Sequence, residues 1–247
     1  GGAVAVRFLG RVGDDPIGDL LGRELAGAGV DVRLQRGGRT GCVVVLVDAD
    51  GERTMFPDRA AAGELGPIAV ADLAGTALLH VPLYGFLEPA AAGHLREAAA
   101  VVAVGGGAVT LDLSATSAID ALGAGWVASL VADLRPAVVF ANRDEAAQAR
   151  LGALDPPPGS CFVVKDGPRP ATIVHSGGRR EVVAPTPIDD ARDTTGAGDV
   201  FAGAFLASAV TGASPAAACA AGHRAASLTL HRPGAPTTGS PIPGRTT

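Results

Sequence analysis

Four stretches of this sequence are apolar almost without a break: ALLHVPL (77–83), VTLDLS (109–114), AVVFAN (137–142) and CFVVKDG (161–167). A strand with one face in water alternates polar and apolar residues. These do not, so both of their faces call for cover. Between and beside them lie stretches of helical character, EPAAAGHLREAAAVVA (88–103), WVASLVADL (126–134) and RDEAAQARLG (143–152). Such strands, spaced by helices that can cover them, predict a mostly parallel sheet in a layered α/β fold. ATIVHS (171–176) and REVVAP (180–185) are expected to pair around Gly177-Gly178, and two helices to close the chain, from Thr194 and from Ser214-Pro215. Ahead of the main sheet, VAVRFLG (4–10) predicts a short strand. The stretch 15–30 predicts a helix with Asp15 as cap and Pro16 at its first position. CVVVLVDADGERTMF (42–56) differs in kind: two β-rich runs around Asp50-Gly51 predict a hairpin, a small sheet of its own.

Bulk properties exclude several function classes. Net charge is −5 and the arginines are scattered, so no basic stripe for nucleic acid exists. No run of about 18 apolar residues is present to cross a bilayer. Cys42, Cys161 and Cys219 are odd in number and far apart, with neither disulfide nor zinc spacing, and point to a reducing, cytoplasmic setting. The first ten residues lack the pattern of a signal peptide, and the chain reads as one that begins mid-fold. VGGGA (104–108) lacks the third glycine of a dinucleotide fingerprint. Lys165, the single lysine, is followed by Asp, which excludes a Walker A loop. The chain has no G-x-S-x-G elbow.

In open α/β sheets, ligands sit outside the carboxyl ends of the strands. That directs attention to Ser114, to Asn142, to Lys165-Asp166-Gly167 and to RDTTGAGDVFAGAFL (192–206). In the last, Gly196, Ala197 and Gly198 open a helix. Small side chains there let a ligand approach the backbone, and the free N–H groups of a helix start suit an anion. Asp199 falls in the first turn. A carboxylate beside an anion is repelled by it, so its use is as a base that takes a proton from a hydroxyl attacking phosphorus. The bland alternative is an ordinary helix start with a dipole-favoured acid. The helix that follows is apolar all round, which predicts burial on every side.

DTTGAGD (193–199) resembles the signature of the PfkB, or ribokinase-like, family of carbohydrate and nucleoside kinases. Other pieces follow in that family's order. GRVGDDPIGDLLGRELAGAGVDV (10–32) is similar to its N-terminal glycine-rich motif, and NRDE (142–145) to its N-x-x-E motif. VVKDGPRPA (163–171) is similar to its nucleotide loop, and RPGA (232–235) to its last nucleotide-side loop. The resemblance implies a ribokinase-like three-layer α/β sandwich over residues 1–247, with a mostly parallel central sheet. It also implies a small β lid that includes 42–57, and ATP and Mg²⁺ as nucleotide and metal. By the same resemblance Asp199 is the base that meets the substrate hydroxyl, and Gly196, Ala197 and Gly198 form the anion hole. Asn142 and Glu145 order Mg²⁺ and phosphates, Glu145 through water. Lys165, Asp166, Gly167, Arg169, Thr195, His223 and Gly234 line the ATP site. A monovalent cation, K⁺, falls to Asp193, Thr195, Thr229, Arg232 and Gly234.

Asn142 and Glu145 also read as a cap and first-turn acid of one helix. His223 reads as a nucleotide contact or as a surface residue. Arg53, Asp58 and Arg59, after the second hairpin strand, are expected at the substrate mouth, or else form a solvated hairpin end. The unprotected hairpin edges predict pairing with a second copy of the chain.

The departures from the family are three. Pro170 stands where the family commonly has Gly, and His223 where Asn is frequent. The family's N-terminal strand and Gly-Gly…Asn motif, which hold sugar hydroxyls, are absent, since Gly1-Gly2 runs into Ala-Val-Ala-Val. A sugar or sugar acid is the expected acceptor, with a nucleoside as runner-up. From a different class, the chain could be a catalytically impaired ribokinase-like binding protein. No nucleic-acid or membrane partner is expected.

Overall fold

The computed structural model describes residues 4–47, 53–188 and 194–230, with the side chains of Val47 and Arg53 outside the description. The chain divides into two compact units, Gly1–Leu73 with Gly85–Ala98, and Ala74–Tyr84 with Ala99–Thr247.

The first unit opens with β1 (Arg7–Val12), α1 (Pro16–Gly27) and β2 (Asp31–Arg36), and β1 and β2 pair in parallel from Arg7↔Asp31 to Val12↔Arg36. Sequence reading does not find β2. Its alternation, Asp-Val-Arg-Leu-Gln-Arg, is a half-exposed strand pattern; only Asp31 and Val32 fall in the glycine-rich motif, and the arginines that follow give no apolar run to mark a strand. α1 begins as expected: Asp15 is extended and accepts from Gly18 N–H at 2.8 Å, with Pro16 behind it. Asp15 does more than cap. It also accepts from Thr40 N–H at 2.7 Å and from the Thr40 hydroxyl at 2.6 Å, and that hydroxyl accepts from Gly13 N–H at 3.0 Å. The Thr40 bonds hold the Asp15 carboxyl down to about 2. A side chain at Gly13 would run into the Thr40 backbone, so this glycine is required by close approach.

β3 (Cys42–Val47) and β4 (Arg53–Asp58) pair antiparallel from Cys42↔Asp58 to Val47↔Arg53, as the hairpin reading expects. Val43, Val44, Val45, Leu46, Met55 and Phe56 are all exposed, on both faces of this two-stranded sheet. A short helix, α2 (Val70–Leu73), ends the first stretch of the unit.

The second unit is built on six strands: β5 (Leu78–Pro82), β6 (Ala108–Asp112), β7 (Val138–Asn142), β8 (Cys161–Asp166), β9 (Arg169–His175) and β10 (Arg180–Val183). Their spatial order is β10-β9-β8-β7-β6-β5. β5 to β8 are parallel neighbours, whereas β9 and β10 are antiparallel additions around turns at Gly167 and Gly177-Gly178. Helices α3 (Pro89–Val104), α4 (Thr116–Leu122), α5 (Ala124–Leu134) and α6 (Arg143–Gln148) fall between the parallel strands, and α7 (Ala197–Val210) and α8 (Pro215–Thr229) follow. The residues of α3 are shared between the two units. α4 escapes sequence reading because it is seven residues long and broken by Gly123, whose φ of +86° no ordinary helix residue adopts.

Both faces of the sheet are covered, as continuous apolar strands require. Phe140, Val163 and Ile173 pack against Phe201 and Phe205 of α7 and Cys219 of α8. The residues that alternate with them, Leu111, Val139 and Phe162, are at most 1% exposed. Phe140 meets Phe205 edge to face at 5.1 Å. One expectation fails here. α7 is not buried all round: Phe201, Ala202 and Phe205 face the core, whereas Gly203, Ala207 and Val210 are exposed. Gly203 and Ala207 are small enough that leaving them wet forfeits little, and Val210 ends the helix. Among the described residues no single helix is long and apolar enough to cross a membrane.

Candidate active site

Four parallel strands deliver their carboxyl ends to one edge of the second unit, and the chemistry collects there. Asn142 ends β7 level with Lys165 of β8, and Asp112 ends β6 level with Phe140. The helix after β7 begins with a complete capping box. Asn142 Oδ1 accepts from Glu145 N–H at 2.8 Å, and the Glu145 carboxylate accepts from Asn142 N–H and Nδ2, each at 2.8 Å. The cap reading of this pair is therefore correct. Glu145 is also 5% exposed. Burial raises its carboxyl above the ordinary range against the bond from Asn142 N–H, and Asp112 and Lys165 are among the charges that act on it.

The other helix start is open. α7 has Gly196 as its first boundary residue, left-handed at φ +75°, with no side chain capping it. Ala197 N–H bonds Thr194 C=O at 3.2 Å, and Val200 N–H closes the first turn on Gly196 C=O at 2.9 Å. Asp199 lies in that turn and is exposed.

Lys165 and Asp112 connect the pieces. Lys165 Nζ lies 3.3 Å from Asp112 Oδ2, with both side chains mostly buried. A methyl group placed on Gly198 would stand 3.5 Å from the same Nζ, so the ammonium reaches the start of α7. Sequence reading missed Asp112 and His80. The available signal was a titratable residue inside a mostly apolar strand, Asp112 in TLDL and His80 in LLHV. Burial pushes His80 below its ordinary value, and Asp112, Lys165 and Asp199 are the charges close enough to act on it. Its Nδ1 lies 2.9 Å from the Thr110 hydroxyl.

Asp166, Gly167 and Arg169 form the turn after β8. Arg169 donates two bonds to Asp166, each of 2.7 Å, and Gly167 has φ +56°. The hydrogen bond from Arg169 lowers the Asp166 carboxyl below its ordinary range. Asn142, Glu145, Lys165, Asp166, Gly167, Arg169 and 196–199 thus share one end of the sheet. His223 is not a surface residue. It is 9% exposed and packs edge to face on Phe201 at 5.1 Å, and burial lowers its pKa. Thr195 precedes Gly196, and the Thr229 hydroxyl donates to Ala226 C=O at 2.8 Å. Asp193, Arg232 and Gly234 lie outside the described residues. Arg53, Asp58 and Arg59 belong to the first unit. There Asp58 pairs with Arg39.

Among the described residues no three His, Cys, Asp or Glu converge on one point. A Mg²⁺ ion accepts few protein ligands and keeps its water, so Glu145 suits such an ion through water rather than as part of a protein cage.

Known proteins resemble this chain over nearly its whole length. Residues 2–243 match the pfkB family carbohydrate kinase model. The ATP-dependent ribose-1-phosphate kinase of Halopiger xanaduensis is 32% identical over 242 residues, covering 92% of this chain and 75% of the relative. A fructokinase of Klebsiella pneumoniae is 52% identical over a shorter stretch of 50 residues, 19% of this chain and 16% of the relative. The crystal structure of adenosine kinase from Sinorhizobium meliloti superposes with a TM-score of 0.82 at 25% identity, covering 93% of this chain and 73% of that one.

Proposed function

The chain belongs to the pfkB family of carbohydrate kinases, and on that premise we propose that it transfers the γ-phosphoryl group of ATP to a hydroxyl of a sugar or sugar acid. The family and the relatives support a sugar or nucleoside kinase that uses ATP. The observation that carries the finer reading is the uncapped start of α7, with Asp199 in its first turn, at the carboxyl edge of the parallel strands. Phosphoryl transfer leaves the protein little covalent work, so positioning and charge stabilisation decide the rate.

The Gly196–Gly198 backbone stabilises the oxygens of the transferring group. Asp199 accepts the proton of the attacking hydroxyl, and its exposure leaves it accessible to an acceptor. Asp166, Gly167 and Arg169 form the nucleotide-side turn. Mg²⁺, when bound, neutralises phosphate charge, and Glu145 orders its water. The Thr195–Thr229 region, with Asp193, Arg232 and Gly234, is the place for a monovalent cation.

A nucleoside acceptor is the second reading, favoured by the likeness to an adenosine kinase. An ADP-release assay with Mg·ATP across sugars, sugar acids, sugar phosphates and nucleosides tests both. Release above the ATP-alone rate with a sugar-class compound is the expected result. Release with nucleosides alone would select the second reading, and release with none would refute the kinase assignment.

A further inference from the structure

Nineteen of the twenty basic residues in this chain are arginines, and the one lysine is Lys165. Its ammonium stands where a cation is costly. The N-terminal end of a helix carries partial positive charge, which repels cations and attracts anions. Lys165 Nζ lies 3.5 Å from where a side chain on Gly198 would begin, beside the second residue of α7. Asp112 offsets part of that repulsion at 3.3 Å, and this contact uses one of the three ammonium donors.

The backbone on both sides is shaped to keep the pair in place. Asp112 Oδ1 accepts from Ser114 N–H at 2.7 Å, and the Ser114 hydroxyl donates to Asp112 C=O at 3.0 Å. Ser114 is held left-handed at φ +61°, a conformation that costs a non-glycine residue energy. Lys165 itself sits opposite an irregularity. The β8–β9 register shifts between Val164↔Thr172 and Asp166↔Arg169, so Pro170 and Ala171 together stand opposite Lys165. Pro170 has no N–H to continue the ladder, and bulges of this kind re-aim side chains beside active sites. The departure from the family at Pro170 thus falls on the residue pair facing the lysine.

We propose that Lys165 is a catalytic residue that binds the transferring phosphoryl group at the 196–198 loop, and that Asp112 is the positioning residue that holds it there. This rests on the kinase reading above. A compact ammonium with rotatable donors suits the role, since it can bond Asp112 and still present N–H groups to a phosphoryl oxygen. In the step itself, the acceptor oxygen bonds to the γ-phosphorus as the bond from that phosphorus to the β,γ-bridging oxygen breaks. The electron pair leaves with ADP, and the hydroxyl proton passes to Asp199.

The test compares ADP with ATP, because only ATP brings a γ-phosphoryl group. By calorimetry without acceptor, Lys165→Met keeps the Mg·ADP affinity and weakens Mg·ATP about tenfold or more. With the acceptor found by the ADP-release screen, its kcat falls about 10²–10³-fold. Asp112→Asn lowers kcat with little change in KM and is partly rescued by Asp112→Glu. Equal losses for ADP and ATP, or an unchanged kcat, would overturn the role of Lys165. A parent chain that fails to bind Mg·ATP would instead overturn the kinase reading beneath it. Since Lys165 is the single lysine, the unmutated chain gives an independent answer if a variant does not fold. Mass-resolved reductive methylation of Lys165 is slowed by Mg·ATP and much less by Mg·ADP, and equal protection by the two would refute the proposal.

Discussion

α6 and α7 both begin at the carboxyl edge of the same sheet, yet their first turns are built in opposite ways. α6 closes on itself: Asn142 and Glu145 exchange three bonds of 2.8 Å and leave its first turn capped from within. α7 starts at a left-handed glycine with no side-chain cap, and its acid, Asp199, is exposed. A helix start satisfied by its own side chains needs nothing from outside. One left open by glycine is made whole by water or a ligand. The contrast assigns α6 mainly to architecture and α7 to chemistry, and each helix can be challenged separately.

The largest effect is expected at Asp199. Asp199→Asn removes the proton acceptor and keeps the shape, so kcat falls by about 10²–10⁴-fold. The thermal midpoint and Mg·ATP affinity stay near those of the parent, because the side chain is exposed and lies outside the core. A variant that turns over at close to the parental rate would erase the distinction between the two helices. Next comes Gly198→Ala. Its new methyl group meets Lys165 Nζ at 3.5 Å, an ordinary contact, and alanine suits a helix better than glycine. Stability therefore holds or rises. Turnover falls, by about 10²-fold if the phosphoryl group is displaced by about 1 Å. A loss of stability in parallel with activity would show that Gly198 serves packing rather than the anion.

The order of these elements was legible in the residues because each depends on local pattern. Continuous apolar runs announced the buried parallel strands, Asp15-Pro16 announced α1, and Gly177-Gly178 announced the β9–β10 turn. What stayed hidden depends on tertiary neighbours. Asp112 and Lys165 are 53 residues apart, and only the β6–β7–β8 order brings them to 3.3 Å. The half-exposed face of α7 is hidden in the sequence because Gly203 and Ala207 count as apolar there although little is lost by wetting them. Asp15 was legible as a cap. Its bonds to Thr40, 25 residues on, were not, since nothing local predicts the partner.

The smallest effect, and the sharpest for the comparison, belongs to Glu145→Gln. Glutamine can still complete a capping box, but it offers one acceptor oxygen where the carboxylate uses two, toward Asn142 N–H and Nδ2. One lost bond costs about 1 kcal/mol, offset in part because no charge is buried any longer. The sign with pH follows from the burial that raises the Glu145 pKa in the folded chain. The folded state holds this proton more tightly than the unfolded one. Its contribution to stability is therefore full below the ordinary glutamate range and is lost as pH rises through the raised folded value. Glutamine does not titrate, so the parent's advantage over Glu145→Gln in urea unfolding should shrink across that window. An advantage that grows with pH would contradict burial as the cause. Activity supplies the second reading of the same variant. If Glu145 orders the water of Mg²⁺, the Mg²⁺ concentration for half-maximal rate rises in Glu145→Gln while the unfolding curve at neutral pH barely moves. An unchanged Mg²⁺ dependence would leave α6 as architecture alone and place the metal's protein contacts elsewhere in the site.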